Sequence, residues 1–251
     1  QLKHELAGHL VGSRLLHFDE VTSTMDTARR LAEDGTSEGT VVLTERQTAG
    51  RGRFARPWYS SKGQYILFSV VLRPTLNQLP SVNMAATLAV CTAATEVTTV
   101  KTTIKWPNDV RINGRKVAGI LIESAVDGNV PRFAIVGIGV NVNLNVPRLS
   151  KISLSATSLS HETGRPVDRT ELLLKVLTHF NDLYSAVRAG KKLTERWAER
   201  IDTLGHYVKI QCRGRLLEGR ADGVDDQGNL VLSKADGTTV TVIAGEVTLQ
   251  I

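Results

Sequence analysis

Residues 47–62 read QTAGRGRFARPWYSSK, directly after a β-branched run, TVVLTE at 40–45, that has strand character. With two glycines at its start, three arginines, Trp58 and Tyr59, the stretch is too polar and too interrupted to be core. Gly50 and Gly52 let the backbone approach a ligand closely, while Arg51, Arg53 and Arg56 bring fixed positive charge with many donors. A polyanion needs that combination. Taken alone, the same pattern also describes a solvated basic loop.

On either side of the loop the apolar pattern predicts alternating strands and helices. Residues 15–21 read as a short strand, followed by a helix with Ser23 as its cap, Asp26 three residues on, and Met25, Ala28, Leu31 and Ala32 as its apolar stripe. Residues 64–72, QYILFSVVL, form a nearly continuous apolar run, too short and too β-branched for a buried helix, and Pro74 closes it. Residues 81–100, rich in Ala, Met, Leu and Val, predict a buried helix. In KWPNDVRINGRKVAGILIE, at 105–123, Asn113-Gly114 lies between two strand-like runs and predicts a type I′ hairpin. FAIVGIGVNVN at 133–143 is a further strand, whose alternating Gly137 and Gly139 bare one face, as expected where a ligand lies flat on a sheet. Residues 170–189 give an amphipathic core helix and 194–201 a shorter one. From residue 207 onward, short alternating strands with turn signals at 226–229 and 236–237 predict a small all-β barrel. The boundary falls near Gly205, giving domains 1–205 and 206–251.

A chain of 251 residues with 41% apolar content is long enough for a packed core. No run reaches the length of a membrane span, and the first residues lack a signal peptide's apolar centre, so a cytoplasmic protein without a membrane partner is expected. Cys91 and Cys212 have no metal-type spacing and the six histidines form no ligand constellation, so no metal site of the protein's own is predicted. A net charge of +6 fits nucleic acid, a phosphorylated small molecule or an acidic protein partner equally.

AGRGR at 49–53, ARPWYS at 55–60, KWPNDV at 105–110, GRKVAGILIE at 114–123 and VGIGVNVN at 136–143, in that order, resemble the catalytic core of biotin protein ligases. The likeness extends to VTSTMD at 21–26, ATSL at 156–159 and the β-rich end, which resembles that family's SH3-like domain. The fold this implies is α+β: a mixed central sheet flanked by helices, shared with lipoate ligases and class II synthetases, with a small C-terminal SH3-like β-barrel. The implied reaction has two steps. Biotin and ATP, with Mg²⁺ on the phosphates and no tightly bound prosthetic group, form biotinyl-5′-AMP, and a lysine of a biotin carboxyl carrier protein domain then accepts the biotinyl group.

The resemblance also assigns residues. Arg53 and Lys116 would be catalytic, Arg53 holding the phosphates and retaining the adenylate, and Lys116 bridging the biotin carbonyl and the phosphate. Ser23, Thr24 and Gln47, with backbone near Arg51, would meet the ureido ring, while Gly119 and Gly139 floor an apolar slot with Trp58 along one wall. Arg51, Arg53, Arg56, Asn108, Asp109 and Asn141 would serve the nucleotide, Asn141 and Asn108 at adenine and Asp109 orienting Mg²⁺ or Lys116. Plainer roles stand beside these: Ser23 as a helix cap, Trp58 as a rim or core aromatic, Asn108-Asp109 as a turn after Pro107, and the glycines as packing residues.

Ala55 stands where the family commonly has Gly, and at φ > 0 it would cost about 1 kcal/mol. Met25 stands where Asn is common. About a dozen residues precede the first strand, too few for the winged helix-turn-helix of bifunctional members, so a ligase without DNA binding is expected. Dimerisation through a sheet edge is a family trait and a possible state here. The rival readings are a lipoate ligase, a basic nucleic-acid-binding module, and a biotin-binding protein without activity.

Overall fold

The computed structural model describes residues 2–144, 155–212 and 214–249. After a short α1 (Leu2–Glu5), β1 (Arg14–Val21) and β2 (Thr40–Gln47) run parallel, joined by α2 (Thr24–Glu33). Next come β3 (Tyr65–Leu72), α3 (Leu79–Thr98), β4 (Thr103–Lys105), β5 (Asp109–Ile112), β6 (Arg115–Asp127) and β7 (Val130–Asn141). These seven strands form one mixed sheet in the order β1-β2-β3-β7-β6-β5-β4, every ladder but the first antiparallel. Three helices follow: α4 (Leu159–Thr163), α5 (Arg169–Arg188) and α6 (Thr194–Ala198).

All eight residues of β3 are buried, which is why its sequence is a continuous apolar run: it is a central strand covered on both faces. Ile66, Phe68, Val70 and Leu72 face the main core, where Ala-rich α3 packs against both the sheet and α5. The buried side of α5 carries Leu172, Leu173, Val176, Leu177, Phe180, Leu183, Tyr184 and Val187. Each removes apolar surface worth about 1.5–3 kcal/mol. On the opposite face of the sheet α2 sets Met25, Ala28 and Ala32 against Val42, Val71, Phe133 and Ile135. That helix covers only part of this face, and the uncovered remainder holds the site.

Local signals account for most boundaries. Asn113 and Gly114 both take positive φ, 51° and 74°, as a type I′ turn requires. Pro80 sits in the first turn of α3, so the helix starts two residues earlier than its composition indicates, and it stops at Thr99, which is left-handed at φ 62°. Asp168 caps α5 by accepting from the N–H groups of Thr170 and Glu171. Ser23 occupies the cap position of α2, but its side chain makes no capping bond, so that expectation is not met.

The last fifth of the chain forms β8 (Tyr207–Cys212), β9 (Arg215–Val224), β10 (Leu230–Ser233), β11 (Thr239–Val242) and β12 (Glu246–Leu249). Their order is β11-β10-β9-β8-β12, all antiparallel. These five strands are consistent with the expected SH3-like domain, and among the described residues no ladder joins β11 to β12. This second sheet is fastened to the first by Trp106, whose Nε1 donates to the Gly228 carbonyl at 2.9 Å.

Candidate active site

The loop after β2 folds as a small hairpin. The Trp58 N–H donates to Gly50 O, the Gly52 N–H donates to Arg56 O, both at 2.8 Å, and Arg51 bridges to Pro57. At its tip Phe54 and Ala55 have φ of 56° and 55°, both in the left-handed region. For L-residues that costs roughly 1–2 kcal/mol each. The position of Ala55 does require φ > 0, as its departure from glycine implied.

Beneath the hairpin lies a cavity of about 580 Å³. Its floor follows from the period-2 geometry of β7. On one face of that strand stand Phe133, Ile135, Gly137, Gly139 and Asn141, the first two packed on α2, Gly137 at the edge of the cavity, and the last two opening into it. Gly139 pairs with Gly119 across the β6–β7 ladder. A Cβ on Gly139 would stand 2.7 Å from two carbons of the Trp58 ring, and one on Gly119 would stand 3.1 Å from a third. Trp58 therefore lies on the glycine floor rather than along a side wall, and its buried Nε1 has no partner among the described residues. Gly137 is already covered, because the Met25 sulfur would be 2.5 Å from its Cβ.

At one end of the cavity the hydroxyl of buried Ser69 donates to Thr24 Oγ1 at 2.8 Å, and Gln47 Oε1 accepts from the Thr24 N–H at 2.8 Å and its hydroxyl at 3.1 Å. With its carbonyl engaged, Gln47 keeps its amide N–H groups for a ligand acceptor. Ser23, 1% exposed, is behind this row and not on the lining. Tyr65, Leu67 and Leu144 form an apolar wall against Trp58.

Cations gather at the other end. Lys116 Nζ is 2.7 Å from Asp109 Oδ1 and 5.4 Å from the Trp58 ring centroid, a cation–π distance. The main chain of Lys116 is held by Ser155 O and the Thr157 N–H, and Asn141 Nδ2 donates to Thr157 O at 2.9 Å, so the ATSL segment braces both residues. Arg53 donates to Asn108 Oδ1 at 3.1 Å and to Gly245 O at 3.2 Å, while Asn108 Nδ2 donates to Ile120 O at 2.6 Å. Burial pushes the Arg53 guanidinium below its ordinary value, against the pull of Asp109 and Glu246. Burial does the same to Lys105, which also feels Arg111. An anion in the cavity relieves both.

The structure brings Thr24, Gln47, Arg51, Arg53, Arg56, Trp58, Asn108, Asp109, Lys116, Gly119, Gly139 and Asn141 to this single cavity. Four of them differ in detail from expectation. Arg51 lines the cavity, but its guanidinium is spent on Asp26 and Glu123 and is not free for phosphate. Arg56 is 62% exposed and pairs with Glu246. Asn141 and Asn108 each spend one amide N–H on a carbonyl of the protein itself, which positions them and leaves one N–H on each. Sequence reasoning missed Lys105, though it opens the quoted KWPNDV string, and missed Gly245-Glu246-Val247, which enter from the second sheet with no motif to announce them.

Residues 17–141 match the model of the biotin/lipoate A/B protein ligase family, and residues 203–249 match the biotin protein ligase C-terminal domain. A biotin–[acetyl-CoA-carboxylase] ligase of Mycobacterium tuberculosis is 33% identical over 258 residues, covering 98% of this chain and 93% of the relative. The bifunctional ligase/repressor of Bacillus subtilis is also 33% identical, over 94% of this chain and 74% of its own length. The Aquifex aeolicus biotin protein ligase in complex with biotin and ATP superposes with a TM-score of 0.79 at 33% identity, covering 94% of this chain and 98% of the other. With the family's motifs converging on one cavity and a relative at 33% identity matched over 93% of its length, this chain belongs to the biotin protein ligase family.

Proposed function

We propose that the cavity takes biotin on the Gly119–Gly139 floor beside Trp58 and the ATP phosphates between Arg53 and Lys116. The chain is an ATP-dependent biotin ligase, and its partner is the carrier domain of a biotin-dependent carboxylase. The observation that carries the residue assignment is that Lys116 and Arg53, two cations from separate motifs, face the same cavity as the glycine pair.

In the first step a biotin carboxylate oxygen attacks the α-phosphorus, the bond to the β-phosphate bridging oxygen breaks, and pyrophosphate leaves. Two unit charges about 4 Å apart repel by roughly 4 kcal/mol at an effective dielectric of 20. Lys116, aimed by Asp109, offsets this where carboxylate and phosphate meet, and Arg53, oriented by Asn108 and Gly245, holds the phosphate oxygens. Gln47, fixed by Thr24, donates to the ureido oxygen. In the second step a carrier lysine, as the free amine, attacks the acyl carbon, AMP leaves with the bonding pair, and the amine gives up a proton.

Among the described residues no three His, Cys, Asp or Glu gather as a metal cage. The carboxylates at the cavity, Asp109 and Glu246, fit a Mg²⁺ that arrives on the nucleotide and takes only one or two protein ligands. That ion would screen the phosphate charge. No helix among the described residues is long and apolar enough to cross a membrane, and Cys91 and Cys212 are free thiols, which supports a cytoplasmic setting. We read the chain as two units meeting near Gly205.

Pyrophosphate release with ATP, Mg²⁺ and either biotin or lipoate tests this reading. Biotin-dependent release is expected, and turnover with lipoate alone would overturn it.

A further inference from the structure

Three segments that build the cavity are pinned by a single side chain. Arg51 Nη1 donates to Asp26 Oδ2 at 2.9 Å and to Ser23 Oγ at 3.4 Å, Nη2 lies 2.7 Å from Asp26 Oδ1, and Nη2 and Nε both donate to Glu123, at 3.3 and 3.4 Å. Arg29 closes the set by donating to Glu123 Oε2 at 2.5 Å. The four charges alternate and cancel, leaving no spare positive charge for a phosphate. Arg51 and Glu123 are 28% and 27% exposed, enough burial for the pairing to hold geometry against solvent screening. Hydrogen bonding to Asp26, then to Glu123, raises the Arg51 guanidinium above its ordinary value.

We infer that Arg51, gripped by Asp26 and Glu123, is a positioning residue that anchors the ligand hairpin to α2 and β6. Each anchored segment supplies part of the cavity: Thr24 from α2, Trp58 from the hairpin, Lys116 and Gly119 from β6. The backbone of Arg51 also bridges Pro57 across the hairpin, so its side chain holds the stem that carries Trp58 onto the glycine floor. Releasing it frees the hairpin, which carries both Trp58 and Arg53, while leaving Lys116 on β6 in place. The inference deepens the biotin-ligase reading and rests on it only for its kinetic readouts.

The test compares Arg51→Met, Glu123→Gln and the conservative Arg51→Lys in the full chain. Amide exchange of residues 50–58 in the ligand-free protein is expected to speed up about tenfold or more in Arg51→Met and Glu123→Gln, with Arg51→Lys falling between these and the native rate. The biotin KM rises about tenfold, and the ATP KM rises with it because Arg53 rides on the same hairpin. Native exchange in both Arg51→Met and Glu123→Gln, or a rise confined to the ATP KM, overturns the inference, the latter marking direct nucleotide contact. If Arg51→Met does not fold, Glu123→Gln, which keeps a neutral acceptor of the same shape, decides alone. Exchange is read without ligand, so it judges the anchor even if the native chain makes no adenylate, an outcome that would sink only the biotin reading.

Discussion

Gly139→Ala adds one methyl group directly beneath the Trp58 ring, where there is no room for it. The new Cβ would lie 2.7 Å from Cε2 and Cζ2 of Trp58, against the roughly 3.5–4.0 Å at which carbon atoms rest. The obstacle is a rigid ring in a hairpin tied at both arms, so the ring must lift by about 1 Å and lose its seat on the sheet. Overpacking of this kind costs about 1–3 kcal/mol, which becomes a 5- to 150-fold loss in biotin affinity if it falls on the bound state. Gly119→Ala is a milder case, since its closest neighbours, at 2.9 Å, are the flexible end of Lys116. Titration calorimetry with biotin, paired with thermal unfolding to verify the fold, measures the loss. Trp58→Ala removes the obstacle, so in that background Gly139→Ala should cost almost nothing, and the double-mutant cycle should return a coupling of at least about 1 kcal/mol. Native affinity in Gly139→Ala, or an equal loss with and without Trp58, would refute the idea that the ring and the glycine pair form one seat.

Lys116→Ala should slow adenylate formation at least about a hundredfold, measured as single-turnover pyrophosphate release, with an unchanged melting temperature, because it removes the cation where two anions meet. Arg53→Gly should loosen the adenylate, so that bystander lysines become biotinylated in a mixture of carrier and unrelated protein; labelling confined to the carrier would count against that role. Arg169→Met should lower the urea-unfolding free energy at pH 7 by about 1.5–3 kcal/mol, since Arg169 donates twice to Glu45 at 2.9 Å. Because Arg169 holds the Glu45 carboxyl below its ordinary value, the contribution is complete above about pH 4.3 and fades as pH falls through the lower folded value. The difference between native and Arg169→Met should therefore shrink in acid, and a gap that stays constant down to pH 2 would show the pair is not the cause.

Much of the site was legible because its chemistry is written in short, contiguous strings. The alternation of Phe133, Ile135, Gly137, Gly139 and Asn141 shows a strand with one bare end, and a period of two assigns all five residues to one face without any coordinates. The Asn113-Gly114 turn joins β5 to β6 in the hairpin that sets Asp109 opposite Gly119. What each side chain does inside the cluster was not legible. Arg51, Arg53 and Arg56 look equivalent in sequence, yet one is consumed by carboxylates from two distant segments, one is buried against Asn108, and one is exposed beside Glu246.

From the order of amino acids alone came the strands, the helices, the glycine-bared face and the identity of the cations, since each depends on residues within a dozen positions of one another. Only the folded chain decided that Trp58 lies on the glycines, that Met25 fills the space over Gly137, and that Gly245 and Glu246 reach the cavity from the far end of the sequence. Those outcomes depend on which atoms compete for one volume and which charges find one another first. Neither contest is settled until segments far apart in the chain are brought together.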